Sequence, residues 1–146
     1  MIQRIQSVFL LLAGGLIFAL LGVPFAGTSE TVSASTLFSD GRYSIEDSPA
    51  LLVFYLLGGA LAIGSIFLYK RRTLQIRAGI FSFIAILIGM VLTVLLFLQD
   101  PVMDQAAAPD DRLGVYFPFL ALIALLLAQR YIRKDEKLVR SMDRLR

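Results

Sequence analysis

Four long apolar segments constrain this chain more than any other feature of its sequence. They cover residues 5–26, 51–69, 78–98 and 113–128, and none contains Asp, Glu, Lys or Arg. A helix needs about 20 residues to cross the ~30 Å hydrocarbon core of a bilayer. The first three segments supply that length, and the fourth reaches it if the helix continues to residue 132 while Arg130 snorkels to the interface. Backbone polar groups must pair internally in lipid, so we predict an all-α bundle of four transmembrane helices.

The composition agrees with one integral membrane domain over residues 1–146. The hydrophobic fraction is 58%, against roughly 45–50% in soluble domains, and the mean hydropathy is +0.78. A soluble chain of this size has little interior in which to bury so much apolar surface. The first segment has a signal peptide as an alternative interpretation. Retention is favoured, because the apolar run is long for a signal and Pro24 lies where a cleavage site needs small residues.

The basic residues predict the orientation of the helices. Two of the 14 Lys and Arg residues, Arg42 and Arg112, lie in the loops before the second and fourth segments. The other twelve lie on the opposite side: Arg4, Lys70, Arg71, Arg72, Arg77, Arg130, Arg133, Lys134, Lys137, Arg140, Arg144 and Arg146. The positive-inside rule therefore predicts that both termini and loop 70–77 are cytoplasmic.

The loop before the second segment predicts a small outer β-hairpin. Residues 31–38 are rich in Thr, Ser and Val, and Asp40-Gly41 separates them from residues 42–45. An Asp-Gly pair between two β-prone runs is a strong turn signal. An isolated hairpin is marginal in water, so we expect it to rest on the helix ends. On the same side, Asp110 or Asp111 is expected to cap the fourth helix.

Three stretches of the sequence resemble a known family. Residues 1–7 read MIQRIQS, residues 70–77 read KRRTLQIR, and residues 132–146 read IRKDEKLVRSMDRLR. They are similar to the bacterial membrane proteins grouped as domain of unknown function family 4293, found mainly in the Bacteroidota. The resemblance covers the whole chain and implies a four-helix protein of the bacterial inner membrane. It implies no activity and assigns no catalytic or binding residue.

Absent residue types argue against several functional classes. The chain has no Cys and no His, the ligands of most zinc, copper and haem sites, so we expect no cofactor. Ion-coupled transporters keep ionisable groups at membrane depth, and the four apolar segments have none. No nucleophile–base arrangement or phosphate-binding loop is recognisable, so we expect no enzymatic activity. Four outer acids lack the spacing of a calcium loop, so we expect them to be solvated loop residues or a helix cap instead: Asp100, Asp104, Asp110 and Asp111.

Small residues recur every three or four positions within the apolar segments. The sets are Gly58 and Ala62, Ala60 and Gly64, Ala85 and Gly89, and Ala121, Ala124 and Ala128. Such spacing lets membrane helices approach closely. Packing within the bundle is the favoured interpretation, and a face for a partner protein is the alternative.

Residues 133–146 are predicted to continue the fourth helix as an amphipathic cytoplasmic extension. At ~100° per residue, one stripe is apolar (Tyr131, Leu138, Met142 and Leu145), and a second is basic (Arg133, Lys137, Arg140 and Arg144). Asp135 falls inside the apolar stripe. We predict that this stripe docks on the bundle end or on a partner, and that Asp135 pairs with Arg71, Arg72 or Arg77. A solvated helix without a fixed partner is the alternative.

The basic stripe is predicted to face anionic lipid headgroups or a partner protein. Binding to nucleic acid is not expected, because no aromatic residues interleave the stripe. The sequence favours a non-enzymatic accessory or scaffold subunit that acts through helix packing and its basic tail, with a possible membrane-protein partner. The alternative is a transporter or channel for a neutral or lipid-like solute, which should have a solvated cavity lined by Ser65, Ser82 or Thr93.

Overall fold

The computed structural model describes residues 2–28, 35–101 and 109–143, and its main elements there are four α-helices. They are α1 (Ile2–Ala19), α2 (Pro49–Phe67), α3 (Arg72–Gln99) and α4 (Tyr116–Asp143). Residues 68–71 connect α2 to α3. The other two connections carry three two-residue strands, β1 (Ala26–Gly27), β2 (Arg42–Tyr43) and β3 (Asp110–Asp111), and 3-10 turns at Ile45–Asp47 and Leu113–Val115.

Three of these helical regions are long and apolar enough to cross a membrane: Pro49–Phe67, Arg72–Gln99 and Leu113–Lys137. Large apolar side chains also cover the outside of the helices, among them Val8, Phe67, Phe81, Leu98 and Ile123. Monomeric soluble proteins rarely expose such continuous apolar surface. The exterior is therefore that of a membrane protein.

Two helix boundaries differ from the sequence prediction. The first helix ends at Ala19 rather than near residue 26, because residues 20–22 form tight i→i+3 turns and the chain then enters β1. Pro24, which has no N–H to donate, follows that turn. The third helix begins at Arg72 rather than near residue 78. The fourth helix continues past residue 132 as far as Asp143.

Each helix packs against the preceding one, and α4 packs back against α1. Gly58 lies against Ile86 while Gly89 lies against the Tyr55 ring, so α2 and α3 run antiparallel. A Cβ on Gly58 would lie 2.5 Å from Ile86 Cγ1, so glycine is what allows this approach. Packing within the bundle is confirmed for three of the four small-residue sets, whose members are buried: Gly58 and Ala62, Ala85 and Gly89, and Ala121, Ala124 and Ala128.

The fourth small-residue set faces away from the bundle. Ala60 and Gly64 are both exposed on α2. A Cβ built on Gly64 would meet no atom of the described residues within 4 Å. This part of α2 is therefore a flat outer surface.

The three strands form one small sheet in the order β2-β1-β3, with both pairs antiparallel. The prediction of the first strand of the hairpin is wrong. Strand β2 pairs with Ala26–Gly27, residues 35–38 form no strand, and residues 29–34 lie outside the described residues. Asp40-Gly41 does form a turn, with Gly41 at φ +76 and the Asp40 carboxylate accepting from Arg42 N at 3.1 Å.

The predicted acidic cap of the fourth helix is wrong. Asp110 and Asp111 pair with β1 through their main chains. Arg112 takes the N-cap position of the 3-10 turn before α4 and makes no side-chain cap bond. Gly114 then passes so close to the Pro24 carbonyl that a side chain there would collide with the backbone. This close contact between the two loops lies before α4, where an acidic side-chain cap was predicted.

An aromatic cluster fills the space between the sheet and the helices. Tyr43 contacts the rings of Phe25, Phe38 and Phe97 at centroid distances of 5.4–6.3 Å, and its hydroxyl donates to Thr93 O at 2.9 Å. The Thr93 hydroxyl donates to Gly89 O at 2.9 Å. The cluster therefore anchors the sheet to α3.

Asp100, at the end of α3, holds the loop before β2. Its carboxylate accepts from Ser35 Oγ at 2.8 Å and from Leu37 N at 3.4 Å, and the Ser35 hydroxyl accepts from Phe38 N at 2.8 Å. We expected Asp100 to be a solvated outer acid. It is buried instead, because it satisfies polar groups of that loop.

Candidate functional site

The end of the bundle opposite the sheet, here called the tail end, holds the residues that sequence analysis singled out. It comprises the start of α1, residues 68–71, the start of α3 and the second half of α4. Arg72 Nη1 donates to the main-chain oxygen of Asp135 at 3.2 Å, and Asp135 is only 8% exposed. Arg71 and Arg77 are exposed. The structure thus brings Arg72 and Asp135 together through the Asp135 main chain, and pairing of its carboxylate stays a prediction.

The inner face of α4 at the tail end can be described as far as Asp135, and the predicted apolar stripe beyond it stays a prediction. The buried residues of α4 in this region are Ala128, Gln129, Ile132 and Asp135. Tyr131 is half-buried and stacks on Phe9 of α1, with ring centroids 5.7 Å apart. The side chains of Leu138, Met142 and Leu145 lie outside the described residues. The described tail therefore packs on α1 and α3 up to Asp135.

Three buried glutamines lie at the tail end, one each on α1, α3 and α4. They are Gln6, Gln75 and Gln129. Gln129 Nε2 donates to Ile76 O at 3.2 Å. Several amide atoms have no partner among the described residues: Gln6 Oε1, both Gln75 amide atoms and Gln129 Oε1. Buried polar groups are normally hydrogen-bonded, so this region has unused hydrogen-bonding capacity.

These amides carry no charge and were not among the site residues predicted from the sequence. Gln129 lies one residue beyond the fourth apolar segment, and Gln6 lies inside the first one. An amide side chain within an apolar segment, or directly after one, is the sequence signal that could have identified these residues. Gly79 explains how Gln129 is accommodated, because a side chain at position 79 would collide with the Gln129 amide.

A basic groove of about 550 Å³ lies between α3 and α4 at this end. We call it the α3–α4 groove, and its lining residues are Gly79, Ile80, Phe83, Leu126, Gln129, Arg130, Arg133, Lys134 and Lys137. Four of these residues are cationic and none is acidic. A smaller adjoining recess is lined by Ile76, Arg133, Glu136 and Lys137.

The groove contains half of the predicted basic stripe. Arg133 and Lys137 line it, and the side chains of Arg140 and Arg144 lie outside the described residues. Arg130 and Lys134 also line it, although the prediction placed neither in the stripe. The groove joins side chains of two helices that are distant in sequence, so a pattern along the fourth helix alone does not reveal it.

The hydroxyl groups within the helices bond to main-chain carbonyls. Ser65 donates to Ala62 O and Ser82 donates to Gly58 O, each at 2.7 Å, and Thr93 bonds to Gly89 O. None of the three lines the α3–α4 groove or its recess. A transporter was expected to have a cavity lined by these hydroxyls, and their bonding favours a structural role instead.

The described part of the chain contains no group of three or more acidic, His or Cys residues that could hold a metal ion. The predicted outer acids are dispersed. Asp100 is buried, Asp110 and Asp111 are exposed in β3, and Asp104 lies outside the described residues.

Comparison with known proteins gives one result. Neither a curated protein nor a solved structure matches the chain. A family model matches residues 2–145, nearly the whole chain, as the two ends and the loop between the second and third segments suggested. The chain belongs to the family described as Domain of unknown function (DUF4293).

Proposed function

We propose that this protein is a non-enzymatic accessory or scaffold subunit of the bacterial inner membrane. All four helices lie in the bilayer, and both termini are cytoplasmic. The 18 residues of α1 extend about 27 Å at ~1.5 Å per residue, close to the ~30 Å hydrocarbon core. Packing of α1 against α2 and α4 supports its insertion beside them. The twelve basic residues on the tail-end side support a cytoplasmic tail end.

The observation that carries the accessory role is the outward position of Ala60 and Gly64. The other small-residue sets are used for packing inside the bundle, whereas these two residues form a flat exposed surface on α2. Leu57 and Phe67, on the same helix, are also exposed. A flat surface of small residues lets a second membrane helix approach closely, since association in lipid depends on van der Waals contact.

The tail supports a cytoplasmic contribution to the same role. Helix α4 has 28 residues, about 42 Å at ~1.5 Å per residue, and so exceeds the hydrocarbon thickness. Its exposed cations begin at Arg130. Each basic residue near an anionic surface adds up to about 1 kcal/mol of attraction. The tail therefore holds the cytoplasmic end of the protein at the membrane surface.

The test is affinity purification of a tagged copy from native membranes in mild detergent, with mass spectrometry of the co-purifying proteins. We expect a stoichiometric membrane-protein partner with the wild-type chain. Gly64→Leu should remove that partner, because the larger side chain separates the two helices. Gly15→Leu is the matched control, since Gly15 is also exposed and a Cβ there meets no described atom within 4 Å.

Two results would contradict this function. Purification of the wild-type chain without a stoichiometric partner would remove the basis for an accessory role. Equal loss of the partner in Gly64→Leu and Gly15→Leu would show that the Ala60–Gly64 surface is not the contact.

A further inference from the structure

We propose that the α3–α4 groove binds one anionic phospholipid, such as a phosphatidylglycerol. This inference rests on the membrane insertion and cytoplasmic tail of the proposed function. It goes beyond general attraction of the tail to a charged surface, because it assigns a single lipid to a defined site.

The lining of the groove changes from apolar to cationic along the helix axis. Ile80, Phe83 and Leu126 form the apolar part, and the first cation, Arg130, follows Leu126 by four residues. Four residues rise about 6 Å, roughly one helical turn. A phospholipid changes from acyl chain to phosphate over a similarly short distance. The groove therefore matches the chemistry of a lipid in both character and direction.

The cationic part suits a phosphate group. Arg130, Arg133, Lys134 and Lys137 all line one groove. Arginine donates two parallel hydrogen bonds to phosphate oxygens, and lysine adds a mobile positive charge. Basic pockets between membrane helices on the cytoplasmic side are a recognised form of anionic-lipid site. A free phosphate would leave the apolar half of the groove unfilled, so we assign the phosphate to a lipid.

Gln129 lies between the apolar and the cationic parts of the groove, and its side chain is 8% exposed. Its amide nitrogen donates to Ile76 O at 3.2 Å. This bond holds α4 against α3 beside the groove and so fixes the position of the cations that follow on α4.

The test measures lipid bound to the purified full-length protein in detergent by native mass spectrometry. Phosphatidylglycerol and phosphatidylcholine with identical acyl chains are titrated separately. We expect one phosphatidylglycerol to bind at saturation, with an affinity at least tenfold above that for phosphatidylcholine. Equal affinity for phosphatidylglycerol and phosphatidylcholine would overturn the proposal.

Two double variants that remove the same charge distinguish lipid binding in the groove from general electrostatic attraction. Arg133→Gln with Lys137→Gln removes two groove cations and should weaken phosphatidylglycerol binding by roughly tenfold or more. Lys70→Gln with Arg71→Gln removes two exposed cations at the same end that do not line the groove. This control should stay within about twofold of wild type. Equal weakening in both pairs would assign the effect to diffuse charge and overturn the site. All four positions are exposed, so both variants should fold.

Free glycerol phosphate in large excess should not displace the lipid, and displacement would mean that the groove takes a soluble phosphate. None of these measurements uses the partner protein, so their failure is distinguishable from failure of the accessory role.

Discussion

Alanine substitutions at Gly58 and Gly64 should change the stability of the protein in opposite directions. Both glycines lie within α2, where Gly→Ala reduces the conformational entropy of the unfolded chain and gains about 0.5–1 kcal/mol. At Gly64 nothing opposes that gain, because a Cβ meets no described atom within 4 Å. Gly64→Ala should therefore raise the free energy of unfolding by about that amount.

At Gly58 the same methyl group meets α3. It would lie 2.5 Å from Ile86 Cγ1 and 3.4 Å from the Ile86 main-chain nitrogen, so α2 and α3 must separate or Ile86 must leave its rotamer. Ser82 also donates to Gly58 O at 2.7 Å, and that bond lengthens if the helices move apart. Overpacking of this kind costs about 1–3 kcal/mol. After the gain from replacing a glycine within a helix is subtracted, Gly58→Ala should lower the free energy of unfolding by roughly 0.5–2 kcal/mol.

The assay is reversible unfolding of each purified variant by titration with SDS, followed by circular dichroism or by a fluorescent label. Gly58→Ala should unfold at a lower SDS fraction than wild type, and Gly64→Ala at an equal or higher fraction. The comparison is internal, since both substitutions add one methyl group to the same helix. Equal shifts in the two variants would refute the close packing of α2 on α3 and the outward position of Gly64.

Three further predictions concern single carboxylates and the docked tail. Asp100→Ala should lower the free energy of unfolding by about 1–3 kcal/mol, because Ser35 Oγ and Leu37 N lose their acceptor. Limited proteolysis should then cut the loop before β2 faster than in the wild type. An unchanged cleavage rate would contradict this prediction. Burial, opposed by a hydrogen bond from Ser44 N, raises the pKa of Asp47 above its usual value. Folding therefore favours the protonated form of Asp47. This preference contributes to the free energy of unfolding at low pH, and the contribution should be lost as the pH rises through the raised pKa. The Asp47→Asn variant should lack this pH dependence. Arg72→Ala should increase protease cleavage of the tail more than Asp135→Asn does, since Arg72 bonds the Asp135 main chain; a larger effect of Asp135→Asn would show that its carboxylate is paired.

Segment length and apolar character predicted the helices because both act within a short stretch of sequence. An uncharged run of about 20 residues has few alternatives to a helix in lipid. The ends were predicted less well, since each depends on a local competition. At α1 the chain leaves the helix after Ala19 through i→i+3 turns at residues 20–22, and Pro24 then lies against Gly114. At α3 the helix continues back through basic residues to Arg72, which hydropathy assigns to a loop.

The sheet and the candidate site depended on contacts between distant residues. Strands of two residues, such as Ala26–Gly27, are too short to give a pattern, and their pairing is fixed by the helices beneath them. Asp100 could not be told apart from the other outer acids, because its burial comes from Ser35 of another loop. The basic residues Arg133 and Lys137 were predicted, whereas the groove that contains them also requires Gly79 and Phe83 of α3.

The most direct test of the membrane account is the side of the membrane on which each end of the bundle lies. The chain contains no Cys, so a single cysteine can be placed at Ser39, exposed at the sheet end, or at Lys70, exposed at the tail end. Each variant is treated in spheroplasts with a membrane-impermeant maleimide, before and after permeabilisation. Ser39→Cys should be labelled in intact spheroplasts, and Lys70→Cys should be labelled after permeabilisation only. Labelling of both positions in intact spheroplasts, or of Lys70→Cys alone, would contradict this orientation.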